Sequence, residues 1–334
     1  MTEEDLDEYT NYMSGKSLST IRQYRARINT LYSHFEKPIT DITIEEFIDF
    51  CKGKGRPLNV SLNPNTSSQY INALNKYWFM KDKVPQDFIN YRSNVLDGDI
   101  QKHTRKTNDA LKAQLPSMQS VLDNEKLHLK NGNSKAYMRC FLCREFYTRN
   151  MDLDVKIITD KSQLNNEDNF LLIQKRPNRV EYIRNSYKTF AKYGTKTFTI
   201  KDKAFLKMCD ASVKKGGDDL YLFPNRPSEP VDDENRKDWK NYEAQTAKIL
   251  KRSLGGIGEG LLLKIQVNNI KDKSDLLAIE DARGTSVSYL MRSYNVDAPQ
   301  TSKLHESIFY VDEDKKTPEI GSGDDDDTSS SSES

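Results

Sequence analysis

The sequence predicts a mainly helical chain in two parts: an all-α N-terminal domain, then a mixed α+β domain carrying a small antiparallel β-sheet. Three observations point there. Apolar residues recur at helical spacing behind Ser/Thr caps through the first 97 residues. Residues 98–116 are polar and basic and lack an apolar face. After Pro116, three short strand-like runs at 155–158, 169–174 and 196–200 are set among helical segments.

In residues 17–36, Ile21, Tyr24, Ile28, Leu31, Tyr32 and Phe35 fall on one helical face, and Pro38 ends the helix. Thr43 caps a second helix, TIEEFIDFCKGK, closed by Gly53 and Gly55. A loop leads to a third helix over 66–82, with Tyr70, Leu74, Tyr77 and Trp78 along one stripe, and a short fourth covers 85–96. Residues 1–97 are therefore expected to form one helical domain and 98–116 a linker, with partial helix as an open alternative. Within that linker Lys102, Arg105 and Lys106 fit contacts along a phosphate backbone; simple linker charges are the alternative. Helices follow at 117–129 and 133–149, then the strands VKII, NFLLIQ and KTFTI, then helices at 202–214, 234–254 and, more loosely, 274–292. The basic, aromatic stretch before the third strand, KRPNRVEYIRNSYKTFAKYGT, supplies Arg179, Arg184 and Lys192 as further candidate DNA contacts. The second domain is expected over 117–310, and the acidic, Ser-rich residues 311–334 as a disordered tail.

Length and composition set bounds on function. At 334 residues the chain has room for two cores, and 17 Tyr, 13 Phe and 2 Trp supply packing mass despite a hydrophobic fraction of 36%. The densest apolar run, Leu261–Leu263, ends at Lys264, so no membrane span is expected, and the acidic start MTEEDLDE lacks a secretory signal. A soluble, intracellular protein is the expectation. The net charge of +1 conceals an asymmetry: residues 311–334 hold nine acids and two bases, −7, which leaves 49 bases and 41 acids, +8, on the first 310 residues. A basic body with an acidic tail suits a protein that handles nucleic acid, although the tail also fits a role in solubility alone. Cys140 and Cys143 form a CxxC with no second pair and no nearby His, so no metal site is expected; with Cys51 and Cys209 they read as buried apolar residues.

Several segments together resemble the tyrosine recombinases and integrases, particularly the divergent members of large DNA viruses and mobile elements. STIRQYRARINTLYSHF and NTSSQYINALNKYWF are similar to the family's helical core-binding (SAM-like) domain. YTRNMDLDVKII resembles the first catalytic-arginine segment and identifies Arg149 with Asp152. NFLLIQKRPNRVEYIRNSYKTFAKYGTKTFTI resembles the β-hairpin of the catalytic lysine, placed at Lys188. The resemblance implies a clamp on duplex DNA. It also implies attack by a tyrosine hydroxyl on a phosphodiester to give a 3′-phosphotyrosine, with arginines holding the non-bridging oxygens and a lysine or histidine protonating the leaving oxygen. That chemistry needs no metal, no nucleotide cofactor and no small-molecule substrate. Active members assemble as oligomers on DNA, and a viral member would work in the nucleus, the replication compartment or the virion.

The later segments depart from the family. LLLKIQVNNIKDK resembles the His-x-x-Arg box with Asn268 in place of histidine and Lys271 in place of arginine, which keeps the charge but loses the forked donors. SYLMRSYNVDAPQ resembles the third box with Ser293 where histidine or tryptophan is expected. Thr301, Ser302 and Lys303 occupy the positions where the nucleophile should follow, so Tyr310 is the nearest later candidate, while Tyr294 suits packing. Groups that act as a unit need not retain partial activity when some are lost. The expectation is a DNA-binding protein with weakened or lost strand cleavage. The alternative is an active recombinase using Arg149, Lys188, Lys271 and Tyr310.

Overall fold

A computed structural model describes residues 3–16, 18–83, 85–112, 114–228, 235–270 and 272–295. The chain divides into two compact units, Met1–Leu115 and Pro116–Ser334. The class expected from the sequence is the one observed, mostly helical with one small four-stranded sheet.

The first unit is entirely helical: α1 (Glu3–Tyr12), α2 (Leu18–Phe35), α3 (Ile44–Cys51), α4 (Pro64–Met80), α5 (Gln86–Tyr91) and α6 (Asp97–Lys112). A capping box starts α3, in which the Thr43 hydroxyl accepts from the Glu46 amide at 3.3 Å and Glu46 returns a bond to the Thr43 amide at 2.8 Å. Asn63 caps α4 by accepting from Thr66 N, with Pro64 at the first helical position, two residues ahead of the expected start. The core gathers Ile28, Leu31, Phe47, Leu74, Trp78 and Phe88, all essentially without exposure, and the Trp78 and Phe88 rings meet edge-on at 4.2 Å. Two elements differ from the sequence reading. Helix α1 was not anticipated; its Leu6 and Tyr9, together with Met13 just beyond it, enter this core at helical spacing, and the Tyr9 hydroxyl donates to Ala73 O. Most of the expected linker is α6, reached from α5 through one π-helical turn at Arg92–Leu96.

The second unit opens with α7 (Met118–Lys130) and α8 (Ser134–Phe146), followed by β1 (Val155–Ile158), β2 (Asn169–Lys175), β3 (Asn178–Arg184), the short α9 (Phe190–Tyr193) and β4 (Lys196–Ile200). It continues with α10 (Lys203–Lys215), α11 (Arg236–Ser253), α12 (Glu259–Asn268), α13 (Lys273–Arg283) and α14 (Val287–Tyr294). The sheet order is β1-β2-β3-β4. It is mixed where the sequence suggested an antiparallel one: β2–β3 and β3–β4 are antiparallel, but β1 lies parallel to β2 with Val155 opposite Asn169. Residues 159–168 return the chain to the end at which β1 began, and Asn165 Oδ1 tightens that return by accepting from Glu167 N and Asp168 N. The parallel register therefore sets the residues just ahead of both strands, Asp154 and Asp168, side by side. Helix α8 meets the sheet through Phe146, whose ring lies 4.8 Å from Phe198 and 5.9 Å from Tyr182.

All four cysteines are free thiols and buried. Among the described residues no helix is long and apolar enough to cross a membrane.

Candidate functional site

Helix α8 stops because Tyr147 takes a left-handed conformation at φ 51°, and the Thr148 hydroxyl donates to Leu142 O. The chain then runs through one 3₁₀ turn, Met151–Leu153, into β1. That turn points Arg149 and Asp152 inward. The Asp152 carboxylate, 2% exposed, accepts from the Arg149 amide at 3.4 Å and lies 3.6 Å from Arg149 Nη1 and 3.7 Å from Arg184 Nη1. Arg149 Nη2 donates to Thr285 Oγ1 at 2.7 Å. Arg184, the last residue of β3, is fully buried, packs its guanidinium over Tyr182, Tyr187 and Phe198, and donates to Ala282 O. A third guanidinium, Arg283 at the end of α13, donates to Tyr147 O at 2.7 Å and to Glu259 Oε1 at 3.0 Å. Glu259 opens α12, where the helix dipole favours a carboxylate, and its other oxygen accepts from Asn150 N.

Three guanidiniums thus face two carboxylates. Arg149 Nη1, Arg184 Nε and Arg184 Nη1 are buried without a hydrogen-bond partner. Burial drives the Arg149 pKa down, the nearby Arg283 charge drives it further, and Asp152 and Glu259 only partly oppose them. Burial also raises Asp152, against the pull of Arg149 and Arg184. Desolvation therefore works against both partners of the pair, and the cluster is one negative charge short.

The cluster opens onto a cavity of about 520 Å³ whose wall includes Arg149, Asn150, Lys188, Arg226 and Trp239. Lys188 lies in the turn after β3 and is exposed. Its neighbour Thr189 sits against the left-handed residue that ends α13: a Cβ on Gly284, at φ +65°, would lie 2.2 Å from Thr189 Oγ1. The Thr189 and Tyr193 side chains packed onto that glycine hold the Lys188 turn beside the Arg283 helix. Elsewhere on the wall Arg226 bridges Asp154 and Asp168 at 2.8 Å each and stacks over Trp239 at 5.5 Å. Tyr242 completes this corner by donating to Asp154 at 2.8 Å.

Arg149 and Lys188, singled out in the sequence, therefore line one cavity together with Asp152. Lys271 and Tyr310 lie outside the described residues, as do Thr301, Ser302 and Lys303. Lys102, Arg105 and Lys106 are exposed on α6 of the first unit, and Lys192 is exposed on α9 with its ammonium 5.1 Å from the Tyr193 ring. Arg179 is engaged within the hairpin, donating to Gln174 at 2.9 Å and Glu181 at 2.7 Å. Arg184 must be withdrawn as a DNA contact, because a guanidinium with no exposed surface cannot reach a backbone phosphate. The later boxes also shift. Asn268 lies at the end of α12 away from Glu259, about 13 Å along the axis, donating to Lys264 O and Tyr294 O. Glu259 is the residue of α12 on the cavity wall, and Thr285, not Ser293, meets Arg149. Glu259, Arg283 and Arg226 were missed in the sequence. The Arg283-Gly284 pair was a readable helix stop. Nothing local marked Glu259, and Arg226 stands in a loop whose partners are distant in sequence.

No protein-family model matches the chain, and no curated protein matches it. Among solved structures the chain is similar to a crystal structure of XerA recombinase, with 15% identity over 94% of this chain and 100% of that chain, at a TM-score of 0.31.

Proposed function

We propose that this protein binds duplex DNA by holding a backbone phosphate at the Arg149 cluster, with strand cleavage weakened or lost. The observation that carries the reading is the unbalanced charge of the cluster: three guanidiniums, two carboxylates and unpartnered donors, beside a cavity that also receives Lys188 and whose further carboxylates are Asp154 and Asp168, both bound by Arg226, and the exposed Glu167. A phosphodiester oxygen would supply the missing negative charge and accept from Arg149 Nη1, a charge-assisted bond strengthened by burial. Lys188 would meet the same phosphate as an exposed, movable ammonium. These are the two positions at which the tyrosine-recombinase resemblance places the first arginine and the lysine. Weakened chemistry is supported by what occupies the rest of the wall. Helix α12 brings a carboxylate, Glu259, to the wall, where it would oppose the negative charge gathered on a pentavalent phosphate, and the Tyr187 hydroxyl on this wall is engaged with Gly194 O at 2.6 Å.

The test pairs equilibrium binding with a suicide substrate. Duplex affinity should fall steeply with salt, and Lys188→Ala should lower the salt slope by about one, as expected for one lost phosphate contact. Arg149→Ala should weaken binding about tenfold or more, with circular dichroism confirming the fold. A nicked suicide duplex should give no covalent adduct. An adduct that disappears in Tyr310→Phe would replace this reading with an active recombinase, and failure to bind duplex at low salt would remove both.

A further inference from the structure

A backbone phosphate leaves part of this cavity unexplained. Beside Arg149 Nη1, a second buried polar atom on the wall has no partner: Asn150 Oδ1. Its amide orientation is set by its neighbours. The Thr246 hydroxyl donates to Glu243 O at 2.9 Å, so its oxygen accepts from Asn150 Nδ2 at 3.0 Å, and Oδ1 is left buried without a donor. Two consecutive residues of the wall therefore hold an unmet donor and an unmet acceptor, each of which a ligand entering the cavity would have to draw toward it. A phosphodiester can satisfy Arg149 but has no hydrogen to give Asn150. Nucleobases carry N–H donors, and those on the pairing edge are engaged in an intact duplex and released in an unpaired nucleotide. The remaining wall suits a base as well. Trp239 provides an indole, with Arg226 held against it by Asp154 and Asp168, and base–aromatic stacking tolerates any base.

Resting on the DNA-binding reading above, we infer that the cavity takes one unpaired nucleotide, its phosphate on Arg149 and Lys188, its base against Trp239 with an N–H donated to Asn150. The preferred DNA is then a duplex with an extruded or unpaired nucleotide, such as a bulge, an end or a branch point.

The experiment compares an intact duplex with the same duplex carrying a single-nucleotide bulge, by titration against the full chain. The bulged duplex should bind roughly five- to a hundredfold more tightly, the span of one base stacked on an aromatic side chain. Binding should also quench intrinsic fluorescence, which comes from two tryptophans, one of them Trp78, sealed in the first unit's core. Trp239→Phe should keep the preference and remove the quenching. Trp239→Ala should lose the preference and bind both duplexes as the wild type binds the intact one. Equal affinity for both duplexes with no quenching in the wild type overturns the nucleotide site and leaves the phosphate-binding reading standing. Failure of both duplexes to bind at low salt removes that reading and this inference with it.

Discussion

The two units bury different things. Among the described residues of the first unit, the buried polar side chains are Ser67, Ser68 and Asn108, and the interior is otherwise aliphatic and aromatic. Among the described residues of the second unit six charged side chains are buried: Glu125, Arg139, Asp152, Arg184, Lys196 and Arg283. Some are matched in place, as where Arg144 grips Glu125 through bonds of 2.8 and 2.9 Å. The Arg149–Asp152–Arg184 group is not, and burial displaces the pKa values of both Arg149 and Asp152. An apolar interior is sufficient to fold a helical unit. Buried, incompletely paired arginines are a cost to folding that a ligand can offset, so the contrast separates a unit built for packing from one built around a site.

The sharpest way to break that contrast is Asp152→Ala. Removing one partner from a buried charge group leaves Arg149 and Arg184 without their shared carboxylate, and the expected loss is about 3–5 kcal/mol by denaturant unfolding. A loss below about 1 kcal/mol would mean that the two guanidiniums are effectively solvated and the contrast is unfounded. Gly284→Ala comes next. Its left-handed backbone should cost about 1–2 kcal/mol and the contact with Thr189 about 1–3 kcal/mol more. Thr189→Ala removes a buried hydroxyl that has no partner, so alone it should be near neutral, and in the double variant it should recover the packing part of the loss. No recovery would separate the Lys188 turn from the end of α13.

The smallest effect is pH-dependent. Burial pushes the Cys140 thiol up to about 12 and raises Cys143 and Cys209 in the second unit, while in the first unit Cys51 rises to about 11. A raised folded value means that the stabilisation is complete below the unfolded thiol value, near 9, and is lost as pH climbs toward the folded one. Each thiol should then remove up to about 1.4 kcal/mol per pH unit in that window. With three such thiols against one, amides of α8 should lose hydrogen-exchange protection faster than those of α4 between about pH 8 and pH 10, after correction for intrinsic rates. Equal losses would show that the thiols do not distinguish the units.

How much of this was legible in the sequence followed from how local the signal was. The capping box at Thr43 and the stripe of Tyr70, Leu74, Tyr77 and Trp78 are short-range patterns, and both correspond to observed helices. Arg149 and Lys188 were singled out only by the family resemblance of the segments that carry them, and each sits in a turn flanking a strand. Helix α12 was not legible, and the loose helical reading of 274–292 did not separate α13 from α14. In Leu261–Val267 apolar side chains occupy nearly every position, so no period marks one face, and the register of the later boxes slid by most of a helix length. Arg184 misled for a different reason. A basic residue in a basic stretch reads as surface, and only three aromatic rings brought together by the hairpin and the turn after it give it an interior.

The sequence by itself determined the class of the chain, most of its helices and three of its strands, because caps, turns and periodic apolar faces act over a few residues. Only the tertiary structure decided that β1 runs parallel to β2, that Arg149, Arg184 and Arg283 share two carboxylates, and that Glu259 and Trp239 face the same cavity as Lys188. Those pairings join residues up to about a hundred or more positions apart. They depend on desolvation and charge balance in a packed interior, quantities that exist only once the chain has closed around them.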